Sequence, residues 1–189
     1  MEYTAKTFNL GELEGLSAKQ IEAHLGLYAG YVKNTNGLFA DLKAAREAGD
    51  ARKASELQRR LGFEFNGMRL HEYYFEQFEA SEGGEGALKE AIEKQWGSYD
   101  AWKTEFVEVA KLRGIGWTLL VQDERTGNLM NVWVSDHELG HLGGQNILLA
   151  LDVWEHAFMV DYLPSERGTY IDAFFKNLQW GVVEGRYTA

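Results

Sequence analysis

Apolar side chains recur at helical spacing over two long segments in the first half of the chain. Ser17 is a predicted N-cap, and Gln20 occupies the position that would complete a capping box with it. The apolar positions that follow are Ile21, Leu25, Tyr28 and Val32. Gly49 and Asp50 interrupt the pattern, which resumes over residues 51–78. The pattern therefore predicts a long antiparallel hairpin of two helices.

The second half of the chain changes from helical to strand-like spacing. A glycine-rich polar stretch at residues 81–86 is the predicted boundary between two domains, residues 1–82 and residues 83–189. Pro164 opens a predicted last helix over residues 165–183. Between these points the pattern predicts two short helices and three strands, at residues 87–95, 99–112, 116–121, 129–134 and 147–151. We expect an α+β protein, with an N-terminal antiparallel helical hairpin followed by an α/β lobe that contains a three-stranded antiparallel sheet.

The composition is typical of a globular protein, and it excludes several classes of function. The chain of 189 residues has no run of the roughly 18 apolar residues that a membrane span needs, so we expect a cytoplasmic protein without a membrane partner. A formal net charge of −10 argues against nucleic acid as a partner, because such binding depends on contacts of Lys and Arg with phosphates. The sequence has no Cys, so a metal ion would have to be held by His, Asp or Glu.

Two of the five histidines lie in the predicted helical hairpin. His24 shares a helix face with Tyr31, and His71 lies within the apolar stripe of the second helix. A buried imidazole needs a partner, because an unsatisfied polar group in a protein core costs a few kcal/mol. The two helices can turn His24 and His71 towards each other, and a metal ion would satisfy both. Asp152 and His156, four residues apart, leave three alternatives open: a metal site, a buried ion pair, or no joint role.

A different metal site is suggested by His137, Glu138 and His141, which match the H-E-x-x-H signature of zinc metalloproteases. That signature requires a continuous helix that presents both imidazoles on one face. Gly140 and two further glycines occupy this segment, and each interior glycine disfavours a helix by about 1 kcal/mol. The protease alternative is therefore disfavoured. It predicts zinc at His137 and His141, and loss of that metal when His141 is replaced by alanine.

The segment at residues 152–158, with the sequence D-V-W-E-H-A-F, is a long and specific motif. It closely resembles the D-V-W-E-H-A-Y signature of the iron/manganese superoxide dismutases. Other segments that resemble this family are residues 31–36, 114–117, 161–162 and 180–187. The resemblance covers nearly the whole chain. It implies a superoxide dismutase that converts superoxide to dioxygen and hydrogen peroxide by alternate oxidation and reduction of one Fe or Mn ion per subunit.

The resemblance also implies roles for six residues. The implied metal ligands are His24, His71, Asp152 and His156. The residues implied to form hydrogen bonds near the metal and to help deliver protons are Tyr31 and His137. His141 is expected to be a structural or solvated loop residue. The ligands leave iron and manganese as alternatives, and a noncatalytic metal-binding or storage protein on the same scaffold is the alternative from a different class.

The chain departs from the family pattern near the expected entrance to the site. Gly67 stands at a position where members of the family can have a glutamine, Tyr28 stands nearest to the position of a usual histidine, and Met159 replaces a usual tyrosine. The resemblance further implies a homodimer or a homotetramer. In that assembly Glu155 would reach His156 of the partner subunit.

An anionic substrate would be repelled by the net charge of −10, so cations close to the site would have to attract it. Screening limits the reach of such cations to about 8 Å at physiological salt. Lys33 and Arg186 are the cations predicted to have this role.

Overall fold

A hairpin of two long helices forms the N-terminal part of the protein, as the sequence predicts. The computed structural model of the protein describes residues 2–81, 83 and 86–188. The two helices are α1 (Ala18–Glu47) and α2 (Ala51–Glu76), and they pack against each other. Each has a side-chain N-cap, Ser17 for α1 and Asp50 for α2. The predicted helical hairpin is therefore confirmed.

The start of α1 is held differently from the predicted capping box. Ser17 Oγ accepts a hydrogen bond from Gln20 N at 3.1 Å, as expected of an N-cap. The Gln20 side chain does not return the bond to Ser17, but donates to the backbone oxygen of His156 at 2.7 Å. The backbone N–H of Ser17 instead donates to Asp161 Oδ2 at 2.7 Å. The helix that carries His24 is thereby tied to the loop that carries His156.

The C-terminal lobe is built around a three-stranded antiparallel sheet. Its first two helices are α3 (Ala87–Trp96) and α4 (Tyr99–Ala110). Its strands are β1 (Gly116–Asp123), β2 (Leu129–Ser135) and β3 (Gln145–Asp152). The strand order is β2-β1-β3, so β1 is central and antiparallel to both neighbours. Trp117 pairs with Val134 on one side and with Asp152 on the other. The α+β class is confirmed, and the register places Asp152 at the end of β3, opposite Trp117 of β1.

The predicted helix over residues 165–183 is wrong as a single element. The chain forms a 3₁₀ turn at Pro164–Glu166, then α5 (Arg167–Asn177), and then the short α6 (Trp180–Glu184). Leu178 lies between the last two in an extended conformation, with φ −65° and ψ 123°. Gln179 N donates to the backbone oxygen of Gln77 at 2.9 Å. This tertiary hydrogen bond takes the place of the intrahelical bond that a continuous helix would have made.

One hydrophobic core extends through both lobes. Among its fully buried large side chains are Tyr74 of α2, Trp117 of β1 and Phe174 of α5. The division into two domains at residues 82 and 83 stays a prediction. Three residues of the glycine-rich stretch, Glu82, Gly84 and Glu85, lie outside the described residues. Within the described part of the chain, no helix combines the length and the apolar character that a membrane span requires.

Candidate metal centre

Four side chains from distant parts of the chain converge in the interior. They are His24 of α1, His71 of α2, Asp152 at the end of β3, and His156 in a 3₁₀ turn that follows β3. The Nε2 atoms of His24, His156 and His71 lie 3.1, 3.3 and 3.6 Å from Asp152 Oδ2. The four donor atoms all lie within 4.8 Å of one another. The structure thus brings together the four residues that the sequence resemblance implies as ligands.

The distances from Asp152 Oδ2 to the three imidazole nitrogens fit a single metal ion. Metal–ligand bonds of about 2.1 Å separated by angles of about 90–120° place neighbouring donor atoms about 3.0–3.6 Å apart. The side chains of His24, His71 and Asp152 are fully buried, and that of His156 is 20% exposed. Nitrogen and oxygen donors without a thiolate suit iron or manganese. Within the described residues, these four side chains form the cluster of His and Asp that could hold a metal ion.

The orientation of His71 is set by the backbone of its own helix. Its Nδ1 lies 2.6 Å from the backbone oxygen of Gly67, one turn earlier, so Nδ1 carries the proton and donates it to that carbonyl. The opposite nitrogen, Nε2, is buried and has no hydrogen-bond partner. A buried polar atom without a partner destabilises the folded protein. A metal ion at the centre of the four donors would bond to this nitrogen and so be its partner.

The charge state of the cluster also suits a cation. Burial lowers the pKa of His24 and of His71, so both imidazoles are neutral at pH 7 and can offer a lone pair. Burial alone would raise the pKa of Asp152, but the interactions with His156 and His24 outweigh it and hold the pKa well below its usual range. The site therefore offers the neutral imidazoles of His24 and His71 and one carboxylate anion, all three fully buried.

Asp152 is held by hydrogen bonds on both its side chain and its backbone. Its Oδ1 accepts from Trp154 N at 2.8 Å, which leaves Oδ2 directed at the three imidazoles. Its backbone oxygen accepts from Tyr170 Oη at 2.7 Å. The Tyr170 hydroxyl has one proton, so it must accept at 3.1 Å from the hydroxyl of Tyr74, which lies on α2. This pair of buried tyrosines links α5, β3 and the helix that carries His71.

A second group of side chains, Trp117, His137 and Tyr31, lies beside the four donors. Trp117 Nε1 donates to His137 Nδ1 at 2.9 Å, and His137 Nε2 lies 2.7 Å from Tyr31 Oη. An indole N–H can only donate, so Nδ1 of His137 has no proton and Nε2 carries it. His137 therefore donates to the Tyr31 oxygen. The hydroxyl proton of Tyr31 is left available for a group in the site.

The zinc metalloprotease alternative is not supported by the geometry of residues 137–141. This segment consists of turns and an isolated bridge, and Gly140 has a φ of +115°, so it is not a helix. His141 Nε2 donates to the backbone oxygen of His137 at 3.0 Å, and Gln145 Nε2 donates to His141 Nδ1 at 2.8 Å. Both nitrogens of His141 thus form hydrogen bonds within the loop. His141 is a structural residue, one of the two alternatives that the sequence left for it.

Gly67 is required by the position of Tyr31. A Cβ atom at residue 67 would lie 2.6 Å from the Tyr31 ring, closer than real Cβ contacts. In this backbone, Tyr31 fills the space that a side chain at residue 67 would need. The family alternative with a glutamine at this position is therefore incompatible with the observed place of Tyr31.

Tyr28 and Met159, the two departures at the expected entrance, have different surroundings. Tyr28 is 1% exposed, donates to Glu72 Oε1 at 3.2 Å and accepts from Lys6 N at 2.9 Å. Burial raises the pKa of its hydroxyl to about 12. Met159 is 45% exposed, and the neighbouring Glu155 is exposed as well. Tyr28 is therefore part of the interior, and Met159 belongs to the surface.

The prediction that Arg186 attracts a substrate is not supported by its contacts. Its guanidinium donates to Glu76 and to the backbone oxygens of Leu148 and Tyr73, which is the environment of a structural arginine. Lys33 is exposed on α1. Arg60 is not among the residues that the sequence predicts for the site, yet its guanidinium lies 3.9 Å from the ring centroid of Phe63 at the edge of the site. No motif distinguishes Arg60, and its spacing of three residues from Phe63 on a helix is the only signal.

The metal-free protein is expected to lose stability as the pH falls from about 6.5 to about 4. Burial lowers the pKa of His137 from 6.5 to about 4, so in this range the unfolded chain binds a proton that the folded protein does not. The stabilisation is complete above pH 6.5 and is lost progressively below it, by about 3 kcal/mol for this residue. His24 and His71, whose pKa values burial also lowers, add to the same trend.

Denaturant unfolding of the metal-free protein at a series of pH values measures this dependence. In a His137→Gln variant, the loss of unfolding free energy between pH 6.5 and 4 should be smaller. Identical pH curves for the two proteins would contradict the assignment to His137.

Comparison with known proteins finds a matching family profile and several similar relatives. A sequence profile described as the C-terminal domain of iron/manganese superoxide dismutases matches residues 84–186. The chain is 40% identical over 163 residues to the Mn superoxide dismutase 2 of Haloferax volcanii, which covers 85% of this chain and 80% of that protein. It is 37% identical over 182 residues to the Fe superoxide dismutase of Cupriavidus metallidurans, which covers 94% of this chain and 91% of that protein. The protein therefore belongs to the iron/manganese superoxide dismutase family.

Proposed function

We propose that the protein is a superoxide dismutase that uses one iron or manganese ion per subunit, held by His24, His71, Asp152 and His156. The observation that carries this proposal is the convergence of the four donor atoms within 4.8 Å in the protein interior. Its relatives, named as Mn and Fe superoxide dismutases, support the choice of reaction. The substrate is superoxide, and the products are dioxygen and hydrogen peroxide.

A bound iron or manganese ion would supply the redox chemistry, taking one electron from a superoxide anion and giving one to a second superoxide anion. The protein has to hold the ion, exclude competing water and provide two protons for the peroxide. Asp152 would contribute one negative charge that partly offsets the charge of the ion. Its hydrogen bonds from Trp154 and Tyr170 keep the carboxylate in one orientation.

Tyr31 would provide the proton nearest to the substrate. Burial raises the pKa of its hydroxyl to about 12, so it is protonated at pH 7. His137 donates to the Tyr31 oxygen and therefore directs the hydroxyl proton away from itself. We assign Tyr31 a catalytic role as proton donor. His137 acts on the reaction by orienting Tyr31 and by contributing to the hydrogen bonds around the site.

The proposal is tested by metal analysis of the purified protein, together with a superoxide-consumption assay after reconstitution with iron or with manganese. One equivalent of metal per subunit and rapid consumption of superoxide are expected. A protein that is fully loaded with metal but does not consume superoxide would contradict the proposal and would favour a noncatalytic metal-binding or storage role. The comparison of the two reconstituted forms also shows which metal supports the reaction.

We propose further that the protein forms a homodimer, either alone or as half of a homotetramer, through the face that contains Glu155. Three exposed apolar residues follow Glu155 closely in sequence: Met159, Val160 and Leu163, which are 45%, 43% and 65% exposed. Exposed apolar side chains favour contact with another protein surface when they form one patch. Glu155 would accept a hydrogen bond from His156 of the partner subunit, and would thereby join the two sites.

Replacing Glu155 by alanine is expected to shift the assembly towards monomers, because a charge-assisted hydrogen bond would be lost from each of two equivalent contacts. Sedimentation velocity over a range of protein concentrations measures the shift. Glu90→Ala, at an exposed acid on α3, is the matched control and should leave the assembly unchanged. A monomeric parent protein, or identical association of the parent and Glu155→Ala, would contradict the proposed interface. The cytoplasmic location stays a prediction, which cell fractionation tests.

A further inference from the structure

An anionic substrate has to approach a protein whose formal net charge is −10. The overall field opposes this approach, so a local positive charge near the site has a large influence on the rate of encounter. Arg186, which the sequence suggested for this role, is engaged in structural hydrogen bonds. Arg60 is a further cation beside the site, and the role that we infer for it rests on the proposed function.

Arg60 lies next to the side chains that line the proton-donating part of the site. Its guanidinium carbon is 3.9 Å from the centroid of the Phe63 ring. The Phe63 ring centroid is in turn 4.8 Å from that of His137 and 6.1 Å from that of Tyr31. Arg60 is therefore separated from the Tyr31–His137 pair by a single aromatic ring.

The ion pair of Arg60 has its positive end towards solvent. Arg60 donates from Nε and Nη2 to Glu64 Oε1, at 3.0 and 2.8 Å. The Glu64 side chain is 8% exposed, whereas that of Arg60 is 54% exposed. Glu64 Oε2 also accepts from Asn34 Nδ2 at 3.2 Å. The buried carboxylate thus anchors the guanidinium, and about half of the Arg60 side chain stays exposed to solvent.

The charge of Arg60 also acts on the groups of the site. Burial is the main influence on the pKa of Tyr31 and of His137, and the positive charge of Arg60 lowers the pKa of both. Negative charges lie in the same region. The charge of Asp136 raises the pKa of Tyr31. The Glu138 carboxylate lies against α2 at Gly62, where an added Cβ atom would be 3.1 Å from Glu138 Oε2. Arg60 is thus a cation among acids at this edge.

We propose that Arg60 is an anion-attracting residue, which raises the local concentration of superoxide and of other small monoanions beside Tyr31 and His137. Glu64 holds the guanidinium in place and the Phe63 ring fixes its distance from the site. Arg60 does not touch the reacting atoms, and its contribution is to the encounter rate.

The test compares Arg60→Gln and Arg60→Lys in the metal-loaded enzyme, with Arg59→Gln as the matched control. Arg59 is also paired with a glutamate on α2, Glu56, but is 82% exposed, and no contact joins it to the site among the described residues. A unit charge about 9 Å away in water changes the local concentration of a monoanion about twofold. Arg60→Gln should therefore lower kcat/KM for superoxide about twofold at an ionic strength of about 10 mM, where the screening length is about 30 Å.

The salt dependence separates attraction from a structural role. In about 1 M salt the screening length falls to about 3 Å, so the parent enzyme and Arg60→Gln should converge. Arg60→Lys, which keeps the charge, should behave like the parent. Azide, a small monoanion that is not consumed, should bind to the metal-loaded Arg60→Gln protein about twofold more weakly at low ionic strength, as measured by optical titration.

Two results would overturn the inference. One is a rate for Arg60→Gln that equals that of Arg59→Gln at low ionic strength. The other is a defect that persists in 1 M salt or that also occurs in Arg60→Lys, because it would come from lost packing and not from lost charge. If the parent protein does not consume superoxide, the proposed function fails. The azide titration then still decides whether Arg60 attracts anions.

Discussion

Replacing His71 by alanine is expected to empty the metal site. The imidazole is fully buried, its Nε2 lies 3.6 Å from Asp152 Oδ2, and among the described residues the group of possible ligands contains no fifth side chain. Changes to residues that only support metal ligands typically cost 10–100-fold in affinity, so loss of a ligand should cost at least about 100-fold. Elemental analysis of the purified variant should find less than about a tenth of an equivalent of metal, and activity should fall accordingly.

His141→Ala is the matched control for this experiment. Both nitrogens of His141 bond within its loop, so its removal should leave close to one equivalent of metal bound. Circular dichroism of the metal-free proteins checks that each variant is folded. Full metal content in His71→Ala, or an empty site in His141→Ala, would contradict the assignment of the four donors. The second result would also revive the metalloprotease alternative.

Replacing His137 by alanine is expected to leave the metal bound and to lower turnover about 10–100-fold. The variant keeps the four donors but removes the N–H that bonds to the Tyr31 oxygen and the acceptor for the Trp117 indole. Tyr31 then loses the constraint that directs its proton into the site. Metal analysis and steady-state superoxide consumption, measured on the same preparation, separate binding from turnover.

His137→Gln tests whether the hydrogen bond itself matters. A glutamine amide can donate to Tyr31 Oη, so this variant should recover part of the turnover that is lost in His137→Ala. Turnover of His137→Ala within twofold of the parent would contradict the proposed role. Loss of metal from His137→Ala would instead show that His137 supports the ligands directly.

The long helices could be predicted because their apolar spacing and their caps agree with each other. Ser17 and Asp50 cap α1 and α2 as residues of their type do elsewhere. The break after α5 could not be predicted, because the sequence there contains no proline or glycine. It depends on a bond from Gln179 N to the backbone oxygen of Gln77, which lies more than a hundred residues earlier.

The candidate site could be predicted in part. The facing of His24 and His71 follows from two helices and the need to satisfy buried imidazoles, and their ring centroids lie 4.9 Å apart. The spacing of Asp152 and His156 leaves several alternatives open, and the family motif favours the metal site among them. The contact of Arg60 with Phe63, and the fit of Tyr31 against Gly67, could not be predicted, because both depend on side-chain positions across the hairpin.

The order of events during folding follows from where the four donors lie in the chain. His24 and His156 are 132 positions apart, and His71 and Asp152 are 81 positions apart. Contacts so distant in sequence form late, because closing long loops costs entropy before the contacts compensate for it. The tie between the start of α1 and the loop around His156 has to form as well. A newly synthesised N-terminal hairpin holds only two of the four donors, His24 and His71. We therefore expect the protein to bind its metal ion late in folding, after the two lobes have packed together.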